Sequence, residues 1–174
     1  MPNSNVVAAL FFEKANMLTD SIFENLNKNL ESYNFNSEYS EGRRKMIIFQ
    51  CLKCYPDSYF YSLDDDIPSL IDTLYIEKNL ESSNPFAAME YHMLARNLIE
   101  PFSDAIKSDL IDIDIDDDDD IKERCSALAD LTLEMILGNQ FIDNPLVVSQ
   151  IKDMLVENMI FLVKFVRKKI FKAE

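Results

Sequence analysis

Two glycines among 174 residues, Gly42 and Gly138, limit this chain more than any motif it contains. Tight hairpins, phosphate-cradling loops and strained catalytic turns use glycine, because a residue without Cβ reaches positive φ at no steric cost. A chain nearly lacking it is a poor source of short strands and sharp turns, and it carries no P-loop or Rossmann fingerprint. Helical periodicity takes the place of turn chemistry. Val7, Leu10, Phe11, Leu18, Ile22, Leu26 and Leu30 recur at three- and four-residue steps, which predicts a helix from about Val6 to Tyr33 with Asn3 or Ser4 as its cap.

The same reading continues along the chain. A second helix is expected from about Arg43 to Tyr55, with Met46, Ile47, Phe49 and Leu52 facing inward and Pro56 closing it. The segment PDSYFYSLDDD then reads as an aromatic, acidic loop with room for one short helical turn. Asp66-Ile-Pro68 starts a third helix with Leu70, Ile71, Leu74 and Leu80 as its stripe. Ser83-Asn84-Pro85 opens another, whose apolar pattern is Phe86, Met89, Met93 and Leu94 and which Pro101 is expected to kink or split. Asp120 and Glu123 have capping-box spacing ahead of Ile121, Cys125, Leu128 and Leu131, and Gly138-Asn139 ends that helix. Asn144-Pro145 opens the last, through Val148, Ile151, Leu155, Met159, Leu162, Val166 and Ile170. The fold expectation is a single all-α domain over residues 1–174, an irregular or orthogonal bundle of six to seven helices with an acidic loop near 111–120.

Charge is unevenly distributed. The net −14 divides into a balanced 1–56, a strongly acidic 57–143 with five basic against twenty-two acidic residues, and a basic 144–174 with six against three. A field of one sign over half a domain repels nucleic acid and anionic lipid and attracts basic surfaces. No secretory pattern opens the chain, and no uncharged apolar stretch is long enough to span a bilayer, so a cytoplasmic protein without stable membrane insertion is expected. The C-terminal MLVENMIFLVKFVRKKIFK has the letters of a membrane-surface helix, but a buried final helix with a basic end explains them equally and is preferred.

The densest charge is LIDIDIDDDDDIKE, residues 110–123. Taking Asp112 as the first position of an EF-hand loop places Asp114, Asp116, Asp118, Asp120 and Glu123 at the remaining ligand positions, with helical patterns on both sides. Asp117 stands where the loop needs glycine, and Asp119 where it needs an apolar anchor, so calcium binding is a third-ranked reading. Cys51 and Cys54 have CxxC spacing but lie in a helical pattern with no parallel sheet around them, and are read as core cysteines. Adding His92 and Cys125 gives a zinc-like inventory without a second short ligand pair. No nucleophile elbow, di-iron pattern or paired acid–base motif is present, and neither enzyme activity nor a cofactor is expected.

The function expected from these residues is a non-catalytic acidic binding protein that neutralises a basic protein partner, most concretely an immunity protein or antitoxin against a nuclease-type toxin. Its contact surface would be Asp112, Asp114, Asp116, Asp117, Asp118, Asp119 and Asp120, with Asp64, Asp65 and Asp66 as a second patch. The alternative is a viral or bacterial interaction protein that binds through an apolar groove. In size and helix count the chain resembles a viral Bcl-2-like protein, although it lacks that family's Asn-Trp-Gly-Arg segment and has no tryptophan.

Overall fold

A computed structural model describes residues 3–31, 39–80, 84–112, 118–138 and 144–171, with 101–112 and 171 described by backbone alone. The described residues form six helices and no strand: α1 (Ser4–Leu30), α2 (Glu41–Tyr61), α3 (Ile67–Asn79), α4 (Pro85–Asp112), α5 (Asp118–Leu137) and α6 (Pro145–Phe171). The all-α bundle expected from periodicity is what the chain adopts.

The helix starts follow capping chemistry. Asn3 Oδ1 accepts from the Asn5 amide at 2.9 Å, and Ser40 Oγ accepts from Arg43 at 3.2 Å. Asn84 Oδ1 takes the amides of Phe86 and Ala87, and Asn144 Oδ1 those of Leu146 and Val147. Each removes orphan donors from a first turn. Gly138, with φ of 60°, sits in the left-handed region just past α5, and its amide reaches the Glu134 carbonyl.

The largest departure concerns α2. Pro56 does not close the helix; α2 runs through it to Tyr61, and Pro56–Phe60, expected as loop, are helical and buried. Proline removes one backbone hydrogen bond and crowds the preceding turn, at an intrinsic cost of about 3 kcal/mol. Two contributions outweigh that cost. Tyr59 and Phe60 are buried, and Phe60 meets Phe11 of α1 edge-on with ring centroids 5.4 Å apart. In addition, Lys53 and Asp57, one turn apart and flanking Pro56, form an ion pair that ties the turn before the proline to the turn after it.

This helix is the axis of the molecule. It touches each of the other five, and every residue from Met46 to Phe60 is buried. Around it, α1 packs on α2, α3 and α6, α5 packs on α2 and α6, and α4 leans mainly on α2 with a lesser contact to α3. The final helix buries Ile151, Leu155, Val156, Met159, Leu162, Val163 and Val166, as a core helix does. No helix among the described residues is long and apolar enough to cross a membrane.

The apolar pattern read for α4 divides between core and solvent. Leu94 is buried at 2% exposure, but Phe86, Met89 and Met93 are 73%, 54% and 60% exposed. The face on the core is Tyr91, Leu94, Ala95 and Leu98, itself a three–four–seven pattern. Two apolar stripes share the helix, and periodicity identifies both without saying which is covered. Likewise α4 continues unsplit as helix through Pro101, and α5 is already helical at Asp118, two residues before the expected capping box.

Neighbouring substitutions in α4 separate the two faces. Leu94→Ala should cost about 2–5 kcal/mol in chemical denaturation, whereas Met93→Ala should stay within about 0.5 kcal/mol of the parent.

Candidate functional site

Two polar constellations and one apolar one remain once the core is accounted for. The first is the acidic surface read from the sequence. Asp118, Asp119 and Asp120 occupy the first turn of α5, where the helix dipole favours negative charge. Asp118 and Asp119 are exposed, and Asp118 lies 3.4 Å from Lys164 of α6. Asp64, Asp65 and Asp66 are exposed in the connection between α2 and α3, where Asp64 Oδ1 accepts from the Asp66 amide at 2.9 Å. Asp112 belongs to the last turn of α4, described by backbone alone, and Asp114, Asp116 and Asp117 lie outside the described residues. The structure therefore positions six of the ten expected contact residues on two separate elements.

The helical start at Asp118 bears on the calcium reading. In the EF-hand register Asp118, Asp120 and Glu123 would all be ligands, yet all three are helical residues of α5. At 100° per residue, the Asp118 and Asp120 side chains project about 200° apart around the axis, so the two carboxylates do not chelate one cation together. Among the described residues no group of three or more His, Cys, Asp and Glu side chains is placed to hold a metal ion. The zinc-like inventory is divided in the same way. Cys51, Cys54 and Cys125 are free and buried, while His92 is exposed on α4. Burial pushes the Cys51 and Cys125 thiols up to about 12, and that of Cys54 higher still, the form of inert core cysteines.

The second constellation was not legible as a site. Lys53 and Asp57 of α2 are each only 1% exposed, and Asp72 of α3 completes the group. Lys53 Nζ pairs with Asp57 Oδ2 and lies 3.3 Å from Asp72 Oδ1. The same Asp72 oxygen accepts from the Tyr91 hydroxyl at 2.9 Å and from Gln50 Nε2 at 3.0 Å. Tyr91 stacks on Tyr75 with centroids 4.8 Å apart and planes 11° from parallel, sealing the cluster between α3 and α4. One cation thus serves two carboxylates in a desolvated core. Burial pulls the Lys53 ammonium down, but the two carboxylates together carry it above the ordinary lysine value. Asp57 moves the other way from a paired acid: burial, only partly offset by Lys53, raises it to about 7. Among the described residues its Oδ1 has no hydrogen-bond partner, whereas Asp72 is served by three donors. Burial thus makes Asp57 a weaker acid than an exposed aspartate even while it stays paired with Lys53. Burial, then the Asp72 carboxylate it donates to, keeps the Tyr91 phenol protonated far above the usual range.

The cluster sits beneath packed aromatic rings, and its geometry is that of an internal tie between α2, α3 and α4. A signal for it did exist in the sequence. Between Met46 and Phe60 the only charged residues are Lys53 and Asp57, at i and i+4. A lone opposite-charge pair inside an apolar run marks a buried bridge.

The third constellation is the exposed Phe86, Met89 and Met93 stripe of α4. No protein-family model, curated protein or solved structure matches the chain, so its function is argued from these residues alone.

Lys53→Met leaves buried Asp57 and partly buried Asp72 without a cation and should cost about 3–5 kcal/mol, with the Lys53→Met/Asp57→Leu pair costing less than that single change. Asp57 gives a pH signature. Its folded value of about 7 lies above the ordinary aspartate value of 3.8, so the folded state binds the proton more tightly. Its contribution is fully present at low pH and is lost as pH rises toward 7. Denaturation midpoints of Asp57→Asn and the parent, compared at about pH 4.5 and 7.5, should show the variant losing less stability across that window.

Proposed function

We propose that this chain is a non-catalytic binding protein whose acidic side receives a basic protein partner. The observation that carries the reading is the exposed, helix-mounted acid turn Asp118–Asp119 on a scaffold whose 57–143 segment has net charge −17 (five basic less twenty-two acidic). Helix α5 is anchored by Ile121, Cys125, Leu128 and Ala129, all buried, so the turn is presented on a rigid element. Asp64–Asp66 add a second exposed acidic turn at a connection held by Ile67 and Pro68 in the core. Fixed like charges of this kind steer encounter with an oppositely charged surface, raising association rates at low salt. The most concrete version is an immunity protein or antitoxin, since the active site of a nucleic-acid-degrading toxin is basic.

Co-purification should recover a basic protein. Its association rate with the Asp118→Lys/Asp119→Lys variant, followed by stopped flow at low ionic strength, should fall at least about tenfold and lose most of its salt dependence. A variant that associates at the parent rate with the parent salt slope would refute the acidic-surface reading.

A further inference from the structure

We propose that the cleft between the start of α2 and the end of α3 binds a small zwitterion, a free α-amino acid. Glu41, Gly42 and Lys45 of α2 line it from one side, and Tyr75, Asn79 and Leu80 from the other. It lies at the opposite end of α2 from the Asp64–Asp66 turn, so the site is independent of the acidic-surface reading. Tyr75 is the residue that points to a ligand. Its side chain is 2% exposed, and its ring packs against Phe49 and stacks on Tyr91, with centroids 4.4 and 4.8 Å away. Tyr91 gives its hydroxyl to Asp72, whereas the hydroxyl of Tyr75 has no hydrogen-bond partner among the described residues, and its side chain lines the cleft. A phenol this enclosed ordinarily finds a partner. Burial, and then the Asp20 carboxylate, keeps it protonated above the usual range, so it is available as a donor.

The walls of the cleft offer both signs of charge. On the α2 side, Ser40 takes the amides of Arg43 and Arg44, and no described residue takes that of Gly42. Gly42 also leaves this wall open, since nothing stands within 4 Å of the position a Cβ would occupy. Its amide, the Lys45 ammonium and the Tyr75 phenol make a donor set for a carboxylate at the positive end of the helix dipole. Lys45 lies 3.4 Å from Asp20, and an ammonium with three donors has others to give. On the α3 side the last carbonyls are acceptors at the negative end of a dipole. Asn79 spends its side-chain NH2 on Asn16 and on the Tyr75 carbonyl, which leaves its oxygen as an acceptor. Glu41 is exposed and has no ion pair among the described residues, because Lys45 goes to Asp20 instead. Lys78, the cation in the last turn of α3, is placed over the Phe12 ring of α1. These acceptors suit an ammonium. A simple anion would meet Glu41, and a simple cation would meet Lys45; a zwitterion answers both. The volume of about 200 Å³ is smaller than the roughly 300–1,000 Å³ used by drug-sized ligands, which selects a molecule the size of an amino acid.

The test is isothermal titration of the full chain with glycine, L-alanine, L-serine and L-threonine, using propionate and ethylamine as the single-charge counterparts of alanine. At least one amino acid should bind saturably and about tenfold more tightly than either counterpart, each of which forfeits one charge-assisted set of hydrogen bonds. Tyr75→Phe removes only the hydroxyl, so it should melt like the parent and weaken that binding about tenfold. Glu41→Gln, an exposed change outside the core, should cost the amino acid a similar factor and leave propionate as in the parent. It decides the matter if Tyr75→Phe melts early. No saturable binding by any of the four up to about 50 mM overturns the proposal. So does propionate or ethylamine binding as tightly as the best amino acid, which would mark an adventitious ion only. Parent-like affinity in a stably folded Tyr75→Phe, or in Glu41→Gln, overturns it as well.

Discussion

Helix α2 is enclosed on every side, and the rest of the molecule is arranged to make that enclosure tolerable. A helix buried all round is usually apolar throughout, yet this one brings Gln50, Lys53 and Asp57 inside with it. A lone buried charge costs several kcal/mol, so the ammonium of Lys53 requires carboxylates within reach. Asp57 supplies one from the next turn and Asp72 supplies another from α3, while Tyr91 brings α4 to the same oxygen. The cluster therefore sets how α3 and α4 sit against the central helix. It also bridges the break in the backbone ladder that Pro56 imposes.

The distribution of exposed groups follows from the same plan. Helices α1 and α5 share their apolar faces with α2 and α6, whereas α4 leans chiefly on α2 and keeps a second apolar stripe on its open side. Acidic residues gather at the helix ends, where the N-terminal dipole of α5 accommodates Asp118–Asp120. The cysteines contribute volume: all three are inside, held as thiols by burial, and Cys51 Sγ contacts Met159 Sδ at 3.5 Å across the α2–α6 interface. Redox or metal chemistry suggested by the Cys51–Cys54 spacing has no support from such a position.

Much of the fold was readable because it rests on local physics. The Asn84 and Asn144 caps, the stop at Gly138, and most of the apolar series of α1 and α6, Leu10 of α1 being exposed instead, depend on residues within a few positions of each other. What could not be read was decided by partners distant in the chain. Pro56 carries a local instruction to stop, and the burial of Tyr59 and Phe60 against other helices overrides it. The stripe Phe86, Met89, Met93 and the stripe Tyr91, Leu94, Leu98 have equally good helical spacing, and only the position of α2 covers one of them. The EF-hand spacing from Asp112 to Glu123 matched ligand positions by residue type, but helical geometry from Asp118 onward separates the carboxylates.

The sequence by itself determined that the chain is all-α, where most helices begin, and that half of it carries a large negative field. Two glycines, recurrent Asx–Pro starts and three–four spacing are sufficient for that, because backbone geometry and net charge are local or additive properties. Only the tertiary structure decided that α2 is the buried axis, that Lys53 shares two acids inside it, and that Phe86, Met89 and Met93 remain outside. Burial is a relation between elements: the same letters serve as core or as surface, depending on which helix arrives to cover them.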